Sequence, residues 1–119
     1  MPRFSINDRL THADEFALVR RRGIAVSSGT LKIACLLGKR SRVGMVISGS
    51  TGIAHERNRL RRIIREHFRL HRHLYPQGDC VVIARSAAAG LSNDEIRGEL
   101  VQLLGTLSLK LPSRNREKI

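Results

Sequence analysis

Residues 54–73 read AHERNRLRRIIREHFRLHRH, and no other stretch restricts the fold as much. Arginine stands at 57, 59, 61, 62, 65, 69 and 72, with only Glu56 and Glu66 as acids. Leu60, Ile63, Ile64 and Phe68 recur at helical spacing, and Leu74 continues the series. On a helix, Leu60, Ile63, Ile64, His67, His71 and Leu74 fall on one stripe, with Phe68 and Arg57 at its edge. Asn58, Arg61, Arg62, Arg65 and Arg69 fall on the opposite side. The pattern predicts a helix from about Ala54 to His73, which Pro76 prevents from running much further. One face must dock on a core, while the other displays guanidinium groups whose planar forks suit phosphate oxygens. Such a helix is a phosphate-tracking surface, and RNA is its expected partner.

The rest of the composition agrees. A chain of 119 residues is expected to be a single domain, 1–119, able to bury roughly two-thirds of its unfolded surface. Its formal charge of +12 and pI near 11.5 call for a polyanion, either nucleic acid or an anionic membrane. No apolar run approaches the ~18 residues of a membrane span, and MPRFSINDRL lacks the apolar segment of a secretory signal. Cys35 and Cys80 lie in apolar strand-like runs, which favours buried thiols over a disulfide framework. A soluble cytoplasmic protein is expected.

Taken in order, a first helix is expected to begin at Thr11 or His12, to carry Phe16 and Val19 on its apolar side, and to end at Gly23 after Arg20, Arg21 and Arg22. Ile24–Ser28 reads as a short strand and Thr30–Leu37 as a stronger one. Gly38-Lys39-Arg40-Ser41 reads as a hairpin turn and Val43–Ser48 as the next strand. Gly49-Ser50-Thr51-Gly52 links that strand to the arginine helix without forming a nucleotide-binding glycine motif. Its plainest reading is a flexible connection. Asp79–Arg85 is an apolar run that suits a central strand. Ser92-Asn93-Asp94-Glu95 is a capping box opening a last helix, with Ile96, Leu100, Leu103, Leu104 and Leu107 as its stripe. Pro112 ends that helix, and a charged tail from about residue 110 is expected to fray.

No catalytic constellation is present, so no catalytic residue is assigned. His67 and His71 have the spacing of a shared metal site, but they lie on the apolar stripe among arginines and lack the glutamate of H-E-x-x-H. They read as histidines at the edge of the core, and no metal ligand is assigned. A two-metal nuclease needs clustered carboxylates, which the arginine helix does not offer. Phe4, Phe16, Phe68 and Tyr75 are the only aromatics, too few for a base-stacking platform. Recognition by shape and backbone charge fits better.

Arg57-Asn58-Arg59, followed by Arg61-Arg62, Arg65-Glu66 and Phe68-Arg69, resembles the signature helix of the bacterial ribonuclease P protein subunit. Arg42-Val43-Gly44, the strand to Ser48, Gly52 and Ala54 resemble that family's run into the helix. Asp79–Ala84 with Arg85, and Phe16-x-x-Val19 closed by Gly23, resemble its later strand and first helix. The resemblance implies an α/β (α+β) two-layer sandwich. Its small mixed sheet of about four strands and its three helices follow the order α-β-β-β-α-β-α, with a left-handed βαβ crossover.

The resemblance also implies partnership with a catalytic RNA and with precursor tRNA, whose 5′ leader the holoenzyme removes. Mg²⁺ would be held mainly by the RNA, with none bound tightly by a protein that is monomeric when free and does not bind membranes. RNA contact would fall to Arg57, Asn58, Arg59, Arg61, Arg62, Arg65 and Arg69. A cleft made by the sheet and the first helix would hold the leader. The positions that match it here are Phe16, Arg20, Lys32 and Ala34.

Three departures stand out. Gly49 and Ser50 replace a usual pair of lysines, His55 replaces a usual valine, and Arg20 and Ala34 stand where aromatics are common. Leader binding would then rest more on charge than on stacking. A general or ribosome-associated structured-RNA-binding protein without a role in cleavage is the rival. An anionic-membrane binder is weaker, because the apolar stripe of the arginine helix is needed for the core.

Overall fold

Residues 8–49 and 51–111 are described by a computed structural model. Of the tail expected to fray from about residue 110, Lys110 ends the last helix and Leu111 is buried; residues 112–119, Phe4 and Ser50 lie outside the described residues. The order is α1 (Ala13–Arg22), β1 (Ile24–Ser27), β2 (Leu31–Leu37), β3 (Arg42–Ile47), α2 (Ala54–Leu70), β4 (Gly78–Ala84) and α3 (Asn93–Lys110). Single 3₁₀ segments at Arg72–Leu74 and Ser86–Gly90 flank β4. Three helices and a mixed four-stranded sheet thus follow the expected order α-β-β-β-α-β-α.

The sheet order is β1-β2-β4-β3, with β2–β4 antiparallel and β3–β4 parallel. The Gly38–Ser41 link therefore reverses the chain without making the expected hairpin: β4 inserts between β2 and β3. β2 and β4 are the two interior strands, each paired on both edges, so the apolar run Asp79–Ala84 takes the central place it suits. Cys35 and Cys80 stand opposite each other on β2 and β4, both buried and unbridged.

Strand alternation sorts the side chains to two faces. Leu31, Ile33, Cys35, Val43, Cys80, Val82 and Ala84 form the core with Leu60, Ile63, Ile64 and Phe68 of α2 and the whole predicted stripe of α3. Ser92 and Glu95 close the capping box that starts α3. The opposite face is covered only in part. There α1 and Leu10 pack through Val19 on Ala34 and Val81.

The strands differ from the sequence reading by one residue at their ends, and two helix boundaries differ as well. The first helix begins at Ala13 with His12 as its N-cap, and Thr11 plays no capping part. The arginine helix ends at Leu70, short of His73, and a 3₁₀ turn follows. That turn brings Tyr75 back onto the helix, where its ring meets Phe68 edge-on at 5.0 Å and its hydroxyl lies 2.8 Å from His67 Nδ1. Phe68, placed at the stripe's edge by periodicity, is fully buried for this reason.

Candidate nucleic-acid interface

The α2 stripe is buried through Leu60, Ile63, Ile64, His67 and Phe68, which leaves the other side of the helix outward. The arginines are nevertheless not equivalent. Arg59 reaches sideways, donating to Asn93 Oδ1 (2.7 Å), Leu91 O (3.0 Å) and Glu56 Oε2 (3.0 Å), and its side chain is only 15% exposed. It ties α2 to the start of α3. Arg57 donates to Gly52 O (2.9 Å) and more loosely to Gly49 O (3.3 Å), holding the loop before the helix. Arg61 donates to Asn58 Oδ1 at 3.0 Å. Arg69 is half-buried. Arg62 and Arg65 have no partner among the described residues, so their donors are available to a phosphate. Arg72, just past the helix, is bound to Asp8 and lies 5.0 Å from the centre of the Phe68 ring.

Thr51 and Gly52, on the α2 side of the linker, are fixed by packing and backbone conformation. Thr51 is fully buried, its Oγ1 lying 3.0 Å from Ser48 Oγ and 3.4 Å from Ala84 O. Gly52 adopts φ +79°, which a side chain would strain. The described linker residues are thus held by Thr51 and Arg57.

A second zone lies on the partly covered face of the sheet. The register sets Ala25, Ala34, Val81 and Gly44 in one cross-strand row and Ser27, Lys32, Ile83 and Val46 in the next. The first row lies under α1. A Cβ on Gly44 would stand 2.5 Å from Cε1 and Cζ of Phe16, so glycine makes the seat for that ring. Arg42 fixes the helix from below, with a bidentate hold on Asp79 (2.8 Å to each oxygen) and a 2.9 Å ion pair to Glu15.

The second row is left half-open. Along its β3 end runs a groove of ≈ 550 Å³, lined by Thr11, Ala13, Phe16, Ala17 and Arg20 on one side, Met45, Val46 and Ile47 on its floor, and Arg61 of α2 on the other. Phe16 and Arg20 thus meet in one groove. Lys32 stands half-buried in the open row, and Ala34 is 2% exposed beneath α1, out of reach of a ligand. Sequence periodicity missed Arg61 as a groove residue and Gly44 as the seat of Phe16. The glycine two residues after Arg42 was the available signal.

His67, His71 and His73 cluster around the end of α2 with their rings tilted or edge-on. His67 and His71 ring centres are 4.7 Å apart. Burial, aided by the charges of His71 and Arg97, lowers the His67 pKa to about 4. Burial raises that of the Tyr75 hydroxyl. Among the described residues no three histidine, cysteine or carboxylate side chains converge on a metal-sized point. No helix there is long and apolar enough to cross a membrane.

What the molecule offers is a helix with outward guanidinium groups and, beside it, a groove that shares Arg61 with that helix. Residues 4–108 match the family described as Ribonuclease P. The chain belongs to the ribonuclease P protein family. It is 36% identical over 104 residues to the ribonuclease P protein component of Desulforapulum autotrophicum, covering 84% of this chain and 88% of the relative. With the component from Desulfosudis oleivorans it shares 35% over 118 residues, covering 92% and 93%.

The fold matches the Staphylococcus aureus RNase P protein at a TM-score of 0.78 and 25% identity, over 83% of this chain and 94% of that one. The Thermotoga maritima RNase P protein matches at 0.73 and 28%, over 82% and 96%. As a ribonuclease P protein, the chain has a role in tRNA 5′ processing alongside an RNA subunit.

Proposed function

We propose that this ribonuclease P protein binds the catalytic RNA through the outward side of α2 and steers the 5′ leader of precursor tRNA along the groove between α1 and β3. The observation that carries the reading is the divided set of arginines. Arg62 and Arg65 have no partner among the described residues, Arg57, Asn58, Arg61 and Arg69 flank them, and Arg59 holds the helix in place from the side. Guanidinium groups on a rigid helix contact phosphates at fixed spacing and lower the repulsion between two RNAs brought together.

Phe16, Arg20 and Lys32 are the accessible leader contacts of this proposal. The groove offers cations at Arg20 and Arg61 and one aromatic ring, so its hold on the leader is mainly electrostatic. Mg²⁺ belongs to the RNA in this account. Hard cations need several oxygen donors, and Glu66 is the one carboxylate on α2 without a partner among the described residues. The free protein acts as a cytoplasmic monomer.

The test is binding to the catalytic RNA against an unrelated structured RNA of equal length at matched salt. Preference for the catalytic RNA supports the reading. Equal affinity for both would instead support a general structured-RNA binder.

A further inference from the structure

β3 is an edge strand, and the part of its edge that faces the groove has no partner among the described residues. The hydrogen-bond polarity of β4 shows which backbone groups point there. Arg85 N donates to Thr30 O and Gly38 N to Gln77 O, so the odd-numbered positions of β4 turn toward β2. Cys80, Val82 and Ala84 therefore turn toward β3. In a parallel ladder such a residue bonds the two neighbours of its Cα partner. Val82 is opposite Met45 and so bonds Gly44 and Val46. Met45 and Ile47 are left with N–H and C=O aimed away from the sheet. The same parity follows independently from Leu10 N, which donates to Val43 O at 3.0 Å on that outer edge. The chain then departs into α1, and no described residue pairs with the edge above Val43 along the groove floor.

We propose that the free edge of β3 takes an extended, carboxylate-bearing peptide by strand addition. The open groups of Met45 and Ile47 alternate donor and acceptor, the pattern another peptide backbone satisfies. A phosphate chain would satisfy the N–H groups and confront the carbonyl oxygens. Arg20 on one wall and Arg61 on the other supply charge for acidic side chains that flank the added strand. A second copy of this chain is disfavoured, since each copy carries +12. Leu10 shows that the edge already takes a parallel backbone bridge one step below. Because Phe16 and Arg20 line the same groove, the peptide would exclude the tRNA leader. That consequence alone rests on the proposed function.

The experiment is amide hydrogen exchange by NMR on the full chain, with an acetylated and amidated Glu-Val-Thr-Val-Thr-Glu peptide as probe. Its lysine-flanked counterpart and an oligouridylate are the comparison arms. The acidic peptide should slow exchange at Met45 and Ile47 and bind about tenfold or more tighter than the lysine form. Met45→Pro removes one outward donor where an edge strand tolerates proline. It should weaken peptide binding about tenfold beyond Met45→Ala, which matches the lost packing.

Failure of the acidic peptide to protect these amides would overturn the proposal and leave Arg20 and Arg61 as guards against edge pairing. Protection by oligouridylate alone would assign the edge to RNA. Precursor-tRNA cleavage, run without peptide, separates the outcomes: a wild-type protein that binds the peptide but does not assist cleavage would count against the leader reading and not against this site.

Discussion

Replacing Arg59 should separate structure from RNA contact on a single helix. Arg59→Ala deletes the donors to Asn93 Oδ1, Leu91 O and Glu56 Oε2, all at 3.0 Å or less. An acceptor left unmade at a buried position costs about 1–3 kcal/mol. Water can enter this half-covered site, so the sum should stay near ~1–3 kcal/mol, or on the order of 4 °C in Tm per kcal/mol for a chain of this size. Arg62→Ala/Arg65→Ala removes groups with no partner among the described residues, and stability should move by less than about 0.5 kcal/mol. The order reverses for RNA. Each lost phosphate contact flattens the dependence of log K on log salt by roughly 0.7–0.9, so the double variant should lose about 1.5 units of slope. Arg59→Ala should lose almost none. Thermal denaturation and titration of the catalytic RNA at several salt concentrations give both quantities. If Arg59→Ala flattens the slope as much as the double variant and leaves Tm unchanged, Arg59 leaves its partners for the RNA and the division is wrong.

Three further outcomes follow from the geometry. Gly44→Ala places a Cβ 2.5 Å from the Phe16 ring; overpacking should cost about 1–3 kcal/mol, and the cost should shrink in a Phe16→Ala background if that ring is the obstacle. His67 is held neutral when folded, its pKa lowered from 6.5 to about 4. Its contribution is therefore complete above the unfolded pKa and is lost as pH falls from 6.5 to about 4. At ~1.36 kcal/mol per unit the ceiling is about 3 kcal/mol. Denaturant unfolding across that window should show the decline in the wild type and a flatter profile in His67→Gln, and equal slopes would refute it. Arg20→Ala and Lys32→Ala should lower the holoenzyme's affinity for precursor tRNA relative to mature tRNA at fixed salt. An unchanged ratio in both, with the fold intact, would remove the leader from this surface.

The helical stripes of α2 and α3 were legible because burial of one face imposes a period that side chains must obey. The end of α2 was not legible. It depends on Tyr75 returning to His67 and Phe68, contacts made only after the chain has left the helix. Strand order was hidden for a related reason. A turn-forming tetrapeptide between two strands looks the same whether those strands pair or a third enters between them, and β4 lies far along the chain. The arginines show the limit most clearly. Arg59 and Arg62 are identical in charge and close in sequence, yet acceptors at Leu91 and Asn93, more than thirty positions away, occupy one and leave the other open. The family resemblance supplied the positions of the groove. Only the fold showed that Ala34 is covered by α1 and that Arg61 closes the opposite wall.

The most direct measurement is cleavage of a precursor tRNA by the cognate catalytic RNA in Mg²⁺, with and without this protein. The account predicts accurate release of the 5′ leader that the protein accelerates, and no cleavage by the protein alone after rigorous removal of RNA. Leader removal that is indifferent to the protein, or specific cleavage by the RNA-free protein, would contradict it.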